Sequence, residues 1–173
     1  MADTEWREIG RVDEVERDPR EELVTMMQKH EVALYRYLVA LTGDREVALD
    51  CVQDAFTRAY EYLQQGKSVN TQWLYKVARN RGIDELRRRK REAMDHEALE
   101  EMHTVRSSED MVSLQSAFRA LSHDDRAILS LVGIEGLSGE EVATRLGIRP
   151  GSVRMRVLRA RERFRKLYSG GRS

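Results

Sequence analysis

Residues 137–167, LSGEEVATRLGIRPGSVRMRVLRARERFRKL, leave the chain few ways to fold, because they prescribe two helices and the tight turn between them. Ser138 can cap the first helix while Glu141, three residues on, reaches back to the cap amide, so two end-of-helix donors are satisfied reciprocally. Val142, Ala143 and Leu146 form one apolar face, Gly147 supplies the positive φ that ends a helix, Ile148 is a buried connector, and Pro150 opens the next helix. A turn this short predicts a helix-turn-helix. Beyond it, Val153, Val157, Ala160, Phe164 and Leu167 fall into one narrow stripe at 100° per residue, which predicts the core-facing side. The opposite side carries Arg154, Met155, Leu158, Arg159, Glu162, Arg165 and Lys166. Apolar side chains set among cations suit a DNA major groove, where guanidinium groups meet guanine edges or phosphates and apolar groups meet thymine methyls. An arginine-rich face can also be merely solvated. Cap, glycine turn and stripe in this order favour the nucleic-acid reading.

The charges support a second contact of the same kind. Thirty basic and thirty acidic residues cancel over 173 positions, yet they are segregated: 1–72 is net −6, 73–91 is +6, 92–136 is −7 and 137–173 is +7. Two basic blocks flanked by acidic ones imply two separate nucleic-acid contacts in a chain that is not basic overall. Two prolines, 6% aromatics and apolar residues recurring every three or four positions predict an all-α fold, with length for one ordinary domain or two small ones. Cys51 reads as a packed thiol, and His30, His96, His103 and His123 show no ligand spacing, so neither metal nor cofactor is expected. The acidic N-terminus does not read as a signal peptide and no apolar run approaches membrane-spanning length, which predicts a cytoplasmic protein without membrane insertion.

Taken in order, residues 1–20 read as a flexible tail with Trp6 as its one large apolar group. Leu23, Met27, Val32, Leu34, Tyr35, Leu38 and Leu41 mark one long helix or two short ones, ended by Thr42 and Gly43. Asp44 can cap the next helix, whose stripe Ala48, Val52, Ala55, Phe56, Ala59 and Leu63 runs until Gly66. Its polar ridge of Asp50, Gln53, Asp54, Thr57 and Glu61 is, by itself, the wet face of a helix. After a loop at 64–69, Asn70 caps a helix beginning at Gln72, with Trp73, Leu74, Val77 and Ala78 inward and a basic run from Arg79 to Arg91. Asn80, Asp84, Arg87 and Arg91 share one face. The cations at 87–91 can complement the helix dipole. Beside Trp73, Tyr75 and Asn80 they also make a surface that grips phosphates and stacks an unpaired base. Residues 92–108 are acidic and lack a core stripe, so they read as a linker. Ser107 or Ser108 then caps a helix with Met111, Val112, Leu114, Ala117, Phe118 and Leu121. Ser122 with Asp125 caps another, with Ala127, Ile128, Leu131 and Val132.

Two sets of these residues carry a family resemblance. DCVQDAF at 50–56, WLYKVARN at 73–80 and DELRRR at 84–89 resemble region two of the sigma-70 family. LSGEEVATRLGIRPGSVRMR at 137–156, with RAR at 159–161, is similar to region four. Order, spacing and small size resemble the extracytoplasmic-function group, over residues 21–92 and 109–167. Ser122 stands for a frequent Pro, Ser152 for a frequent Thr and Met155 for a frequent small polar residue, departures that bear on promoter sequence rather than fold.

The resemblance implies a tail at 1–20, a region-two-like helical domain at 21–92, a linker at 93–108 that enters RNA polymerase, and a region-four-like domain at 109–168. It implies a sigma factor, not a catalyst, that binds core RNA polymerase, directs it to promoter DNA and assists melting, held in many members by an anti-sigma partner. It assigns Asp50, Gln53, Asp54 and Thr57 to the polymerase clamp. Loop 64–69, Trp73, Asn80, Arg87, Arg88 and Arg91 are assigned to the melted minus-ten element. Arg149, Ser152, Arg154, Met155, Leu158, Arg159 and Arg161 are assigned to the minus-thirty-five major groove, and the helical wheel puts Arg161 and Arg163 at the flanks of that face, mainly gripping phosphate or the protein surface. The competing readings are a stand-alone helix-turn-helix regulator, which normally adds a sensor or dimer domain, and a recombinase, which needs a nucleophile near clustered arginines. Neither addition is visible in the sequence.

Overall fold

The computed structural model describes residues 18–95 and 109–170, and every regular element among them is an α-helix. Trp6, the acidic stretch 96–108 and the expected caps Ser107 and Ser108 lie outside the described residues. The first helix, α1 (Pro19–Thr42), is continuous. Asp18 caps it by accepting from Arg20 N at 2.9 Å, and Pro19 sits in the first turn, where a missing N–H costs nothing. Pro19 and Arg20, expected at the end of the tail, therefore belong to the helix. Asp44 caps α2 (Arg45–Gln64) through bonds from Glu46 N and Val47 N. Asn70 caps α3 (Thr71–Asp95) by accepting from Trp73 N at 2.8 Å. Helix α3 runs through the first residues expected to be linker, because Glu92 pairs with Arg88 one turn earlier at 2.5 Å and prolongs the helical surface.

Leu34, Leu38, Leu41, Cys51, Ala55 and Leu74 are all buried where these three helices meet. Gly82 lets α3 cross α1 closely, since a Cβ there would stand 3.1 Å from Leu41 Cδ2.

The second half comprises α4 (Glu109–Arg119), α5 (His123–Gly133), α6 (Gly139–Leu146) and α7 (Pro150–Gly170). Ser122 caps α5, accepting from Asp125 N at 3.2 Å. The Asp125 carboxylate does not return the cap. It takes two bonds of 2.6 Å from Arg163 and so ties α5 to α7. Leu131, Val142, Val153 and Ala160 fill this smaller core. The predicted α7 stripe is buried at Val153, Val157 and Ala160, half-buried at Phe164 and exposed at Leu167, because the helix outruns its short platform. Phe164 instead packs edge-on to Phe118, ring centroids 6.4 Å apart.

The halves pack against each other. The carbonyl of Leu41 lies in the last turn of α1, where no intrahelical donor is left for it. It accepts from His123 Nδ1–H at 2.9 Å and Arg126 Nη2 at 3.1 Å, both from α5. The Arg126 guanidinium there also complements the helix dipole. Arg36 pairs with Glu135 at 3.4 Å and Arg79 with Asp124 at 2.5 Å, and the buried apolar residues of both halves form one continuous cluster.

Candidate nucleic-acid interface

The helix-turn-helix is built as its sequence prescribes. Ser138 N donates to Glu141 Oε2 at 2.9 Å and Glu141 N donates to Ser138 Oγ at 3.3 Å, closing the capping box. Gly147 takes φ +64° and returns its N–H to Ala143 O. A Cβ at Gly147 would also meet the end of the flexible Gln72 side chain on α3, which would have to move, but it is the positive φ of the turn that requires glycine. Ile148 is half-buried rather than fully enclosed.

On α7 the packed stripe fixes what faces outward. Met155 and Leu158 are 46% and 58% exposed, although burying such side chains would be favourable. Arg149, Arg154, Arg159 and Arg161 are exposed beside them and none makes an ion pair among the described residues. Ser152 is half-buried in the first turn, its N–H bonded to Arg149 O at 2.9 Å. The surface is apolar at its centre and cationic at its margins, with its guanidinium groups unneutralised by the fold.

The basic part of α3 is organised differently. Glu85 is buried and gathers Arg88 and Arg89, with Arg81 3.9 Å away. The hydrogen bond from Arg88, reinforced by Arg89, holds the Glu85 carboxyl below its usual range against the opposing effect of burial. Arg89 also reaches Asp44 at 2.7 Å and Arg87 lies 3.5 Å from Asp84. Arg88 is further tied to Glu92, whereas Asn80 and Arg91 are exposed and Arg91 has no carboxylate partner among the described residues. Trp73 is half-buried against Tyr62, centroids 4.7 Å apart, at the edge next to loop 64–69. Tyr75 does not join that surface. It is 1% exposed and packs 5.4 Å from Tyr37, because two residues along a helix turn the side chain by about 200°, from the edge into the core.

On α2, Asp50, Gln53 and Thr57 are exposed, while Asp54 is half-buried and pairs with Arg58 at 3.1 Å and Arg81 at 3.9 Å. The ridge projects from the three-helix unit, and its side chains support nothing within the fold except through Asp54.

Of the residues expected at the two contacts, Asn80 and Arg159 face a common space. A cleft of about 700 Å³ opens between the halves, lined by Lys76, Arg79 and Asn80 from α3 and by Arg156, Arg159 and Arg163 from α7. Lys76, Arg79 and Arg156 were not singled out by the sequence as site residues, and Arg163, expected on phosphate or the protein surface, pairs with Asp125. Arg156, Arg159 and Arg163 do recur at helical spacing on one flank of α7, a periodicity masked by arginines on every side of that helix.

Comparison with known proteins agrees with this architecture. Residues 26–92 match the family model for Sigma-70 region 2, and residues 111–164 match that for Sigma-70, region 4. The chain is 32% identical over 153 residues to the ECF RNA polymerase sigma factor SigE of Mycolicibacterium smegmatis, covering 81% of this chain and 59% of that longer relative. It is 32% identical over 142 residues to SigL of Mycobacterium tuberculosis, covering 76% of this chain and 80% of SigL. A solved structure of the sigma factor RpoE with the anti-sigma factor NepR from Bartonella quintana superposes with a TM-score of 0.60 at 27% identity, covering 87% of this chain and 96% of that one. Among the described residues no helix is long and apolar enough to cross a membrane. With both region models matched in order and SigL aligned over four fifths of its length, the chain belongs to the sigma-70 family, in its ECF group of RNA polymerase sigma factors.

Proposed function

We propose that this chain binds core RNA polymerase, carries it to a set of promoters and helps to open the DNA there, without itself catalysing a reaction. The observation that carries the reading is the match to both sigma regions in one chain, in order, on two helical units that each present a basic helix. The exposed ridge Asp50, Gln53 and Thr57, with Asp54, is the polymerase-facing surface. Trp73, Asn80, Arg87, Arg88 and Arg91 with loop 64–69 hold the melted minus-ten strand, where an amide and an aromatic edge can retain an extruded base. Arg149, Ser152, Arg154, Met155, Leu158, Arg159 and Arg161 enter the minus-thirty-five major groove. The units run from 21 to 92 and from 109 to 168, with 93–108 as the connection between them. Work on chromosomal promoters places the chain in the cytoplasm. The RpoE relative was solved with an anti-sigma factor, and a partner of that kind is proposed for this chain too.

Transcription by reconstituted polymerase on a genomic fragment library, with start sites mapped, tests the reading. Discrete starts that require the chain are expected. Binding of the free chain to duplex sites without any polymerase-dependent start would favour a stand-alone regulator, and cleavage or joining of DNA a recombinase. Gln53→Ala should weaken polymerase binding with melting temperature unchanged, and unaltered affinity would return the ridge to a solvated face.

A further inference from the structure

The cleft between the halves contains a charge imbalance that the fold does not resolve. Six cations line it: Lys76, Arg79, Arg145, Arg156, Arg159 and Arg163. Its two carboxylates are already committed, Asp124 to Arg79 at 2.5 Å and Asp125 to Arg163 at 2.6 Å. Lys76, Arg145, Arg156 and Arg159 are left without an ion-pair partner among the described residues. On α3 outside the cleft, by contrast, Arg81, Arg87, Arg88 and Arg89 each have a carboxylate within 4 Å, although Lys90 and Arg91 have none among the described residues. Like charges converging on one concave space repel one another and concentrate counter-ions there.

The buried polar atoms at the same place add to this. Tyr37 and Tyr75 both line the cleft, are 0% and 1% exposed, and have hydroxyls beside the guanidinium groups of Arg79 and Arg145. Arg145 Nε, also on the cleft wall, is buried and unpartnered, its guanidinium lying 5.7 Å from the centre of the Tyr75 ring. Buried donors left unmade are costly and rare in a folded chain. Here one such donor, Arg145 Nε, belongs to one of the four unpaired cations.

We infer that this cleft is a binding site for a small anion bearing two or more phosphate groups, gripped by Lys76 from one half and by Arg145, Arg156 and Arg159 from the other. Guanidinium groups pair with phosphate oxygens in two-pronged fashion, and an ammonium adds a point charge. A space of about 700 Å³ has the size of a small-molecule site and is too small for a DNA duplex or a folded partner. Because the donors come from both halves, an occupant closes the molecule on itself. Asn80 and Arg159 line the same space, so an occupied cleft withdraws them from promoter DNA. That consequence, unlike the binding itself, rests on the proposed sigma-factor reading.

Isothermal titration of the free full-length chain at near-physiological salt, with inorganic tripolyphosphate, adenosine triphosphate and citrate as probes, tests the site. Saturable binding of tripolyphosphate at one site, with citrate much weaker, is expected. Tighter binding of adenosine triphosphate would identify a nucleotide as the occupant, and equal binding a bare polyphosphate. Lys76→Ala and Arg156→Ala, both exposed and one from each half, should each weaken binding about tenfold, the equivalent of one lost charge-assisted hydrogen bond. The double variant Arg87→Ala/Arg91→Ala, outside the cleft, should leave it unchanged. The site is refuted by absence of saturable binding, by an effect confined to one half, or by the same loss in the Arg87/Arg91 control, which would mark general attraction to a basic surface. Transcription is not read here, so failure of the polymerase assay and failure of this titration are separate results.

Discussion

Helices α3 and α7 are alike in composition and opposite in organisation. Residues 73–91 and 137–173 carry net charges of +6 and +7. On α3 most guanidinium groups face a carboxylate, and buried Glu85 draws several of them onto the helix, with Asp44 anchoring Arg89 to α2. On α7 only Arg163 and Lys166 have such partners among the described residues. Exposed ion pairs contribute little to stability, so the pairs on α3 are best understood as setting where cations point. They hold Arg88 and Arg89 near the protein and leave Asn80 and Arg91 outward. Helix α7 has no such restraint, and its arginines surround two exposed apolar side chains. Similar charge thus corresponds to a surface ordered by ion pairs in one half and a largely unpaired one in the other.

The largest effect should come from what holds each helix down. Leu74 is fully buried under α3, and Leu74→Ala should cost about 2–5 kcal/mol in denaturant unfolding, the range for a large-to-small core change. If the cost is instead near zero, the charge pairs rather than the apolar contacts hold α3 in place. Next, Arg154→Ala and Met155→Ser on α7 should leave stability unchanged and redistribute upstream-element preference by about 1–3 kcal/mol at the affected base pairs. A promoter-variant library scored with each mutant holoenzyme reads this, and an unchanged profile would reduce α7 to electrostatic docking.

Smaller effects sharpen the contrast. Arg161→Ala should lower binding to all sequences evenly and reduce the salt slope of DNA affinity by about one unit. Arg88→Ala, already committed to Glu85 and Glu92, should reduce that slope by less. Equal reductions would erase the distinction between the two helices. Smallest is a pH effect. The hydrogen bonds from Arg163 hold the Asp125 carboxyl below its usual range, outweighing partial burial. A depressed carboxyl contributes stability that is complete above the ordinary carboxylate range and lost as pH falls through its folded-state value. Acid unfolding of Asp125→Asn should therefore lack part of the wild-type slope on the acid side. An identical slope would show that the α5–α7 tie does not contribute.

The elements whose determinants lie within a few residues of one another were legible in the sequence. Ser138 with Glu141, Gly147, Asp44, Asn70 and the α2 stripe act over one or two turns, and the structure uses them as their chemistry dictates. Local rules misplaced Tyr75, because aromatic character alone does not say which side of a helix is covered. They also gave Asp125 to the cap of α5, when an arginine 38 positions away holds it. The pairing of Arg79 with Asp124, the capture of the Leu41 carbonyl by α5, and the convergence of Lys76 with Arg156 in one cleft join residues 45 to 85 positions apart. Sequence determined the helices, their caps and the family, since these follow from periodicity and short-range hydrogen bonding. Tertiary structure alone decided which cations are neutralised and which are left bare, because that depends on which carboxylates the packing of distant helices brings within a few ångströms.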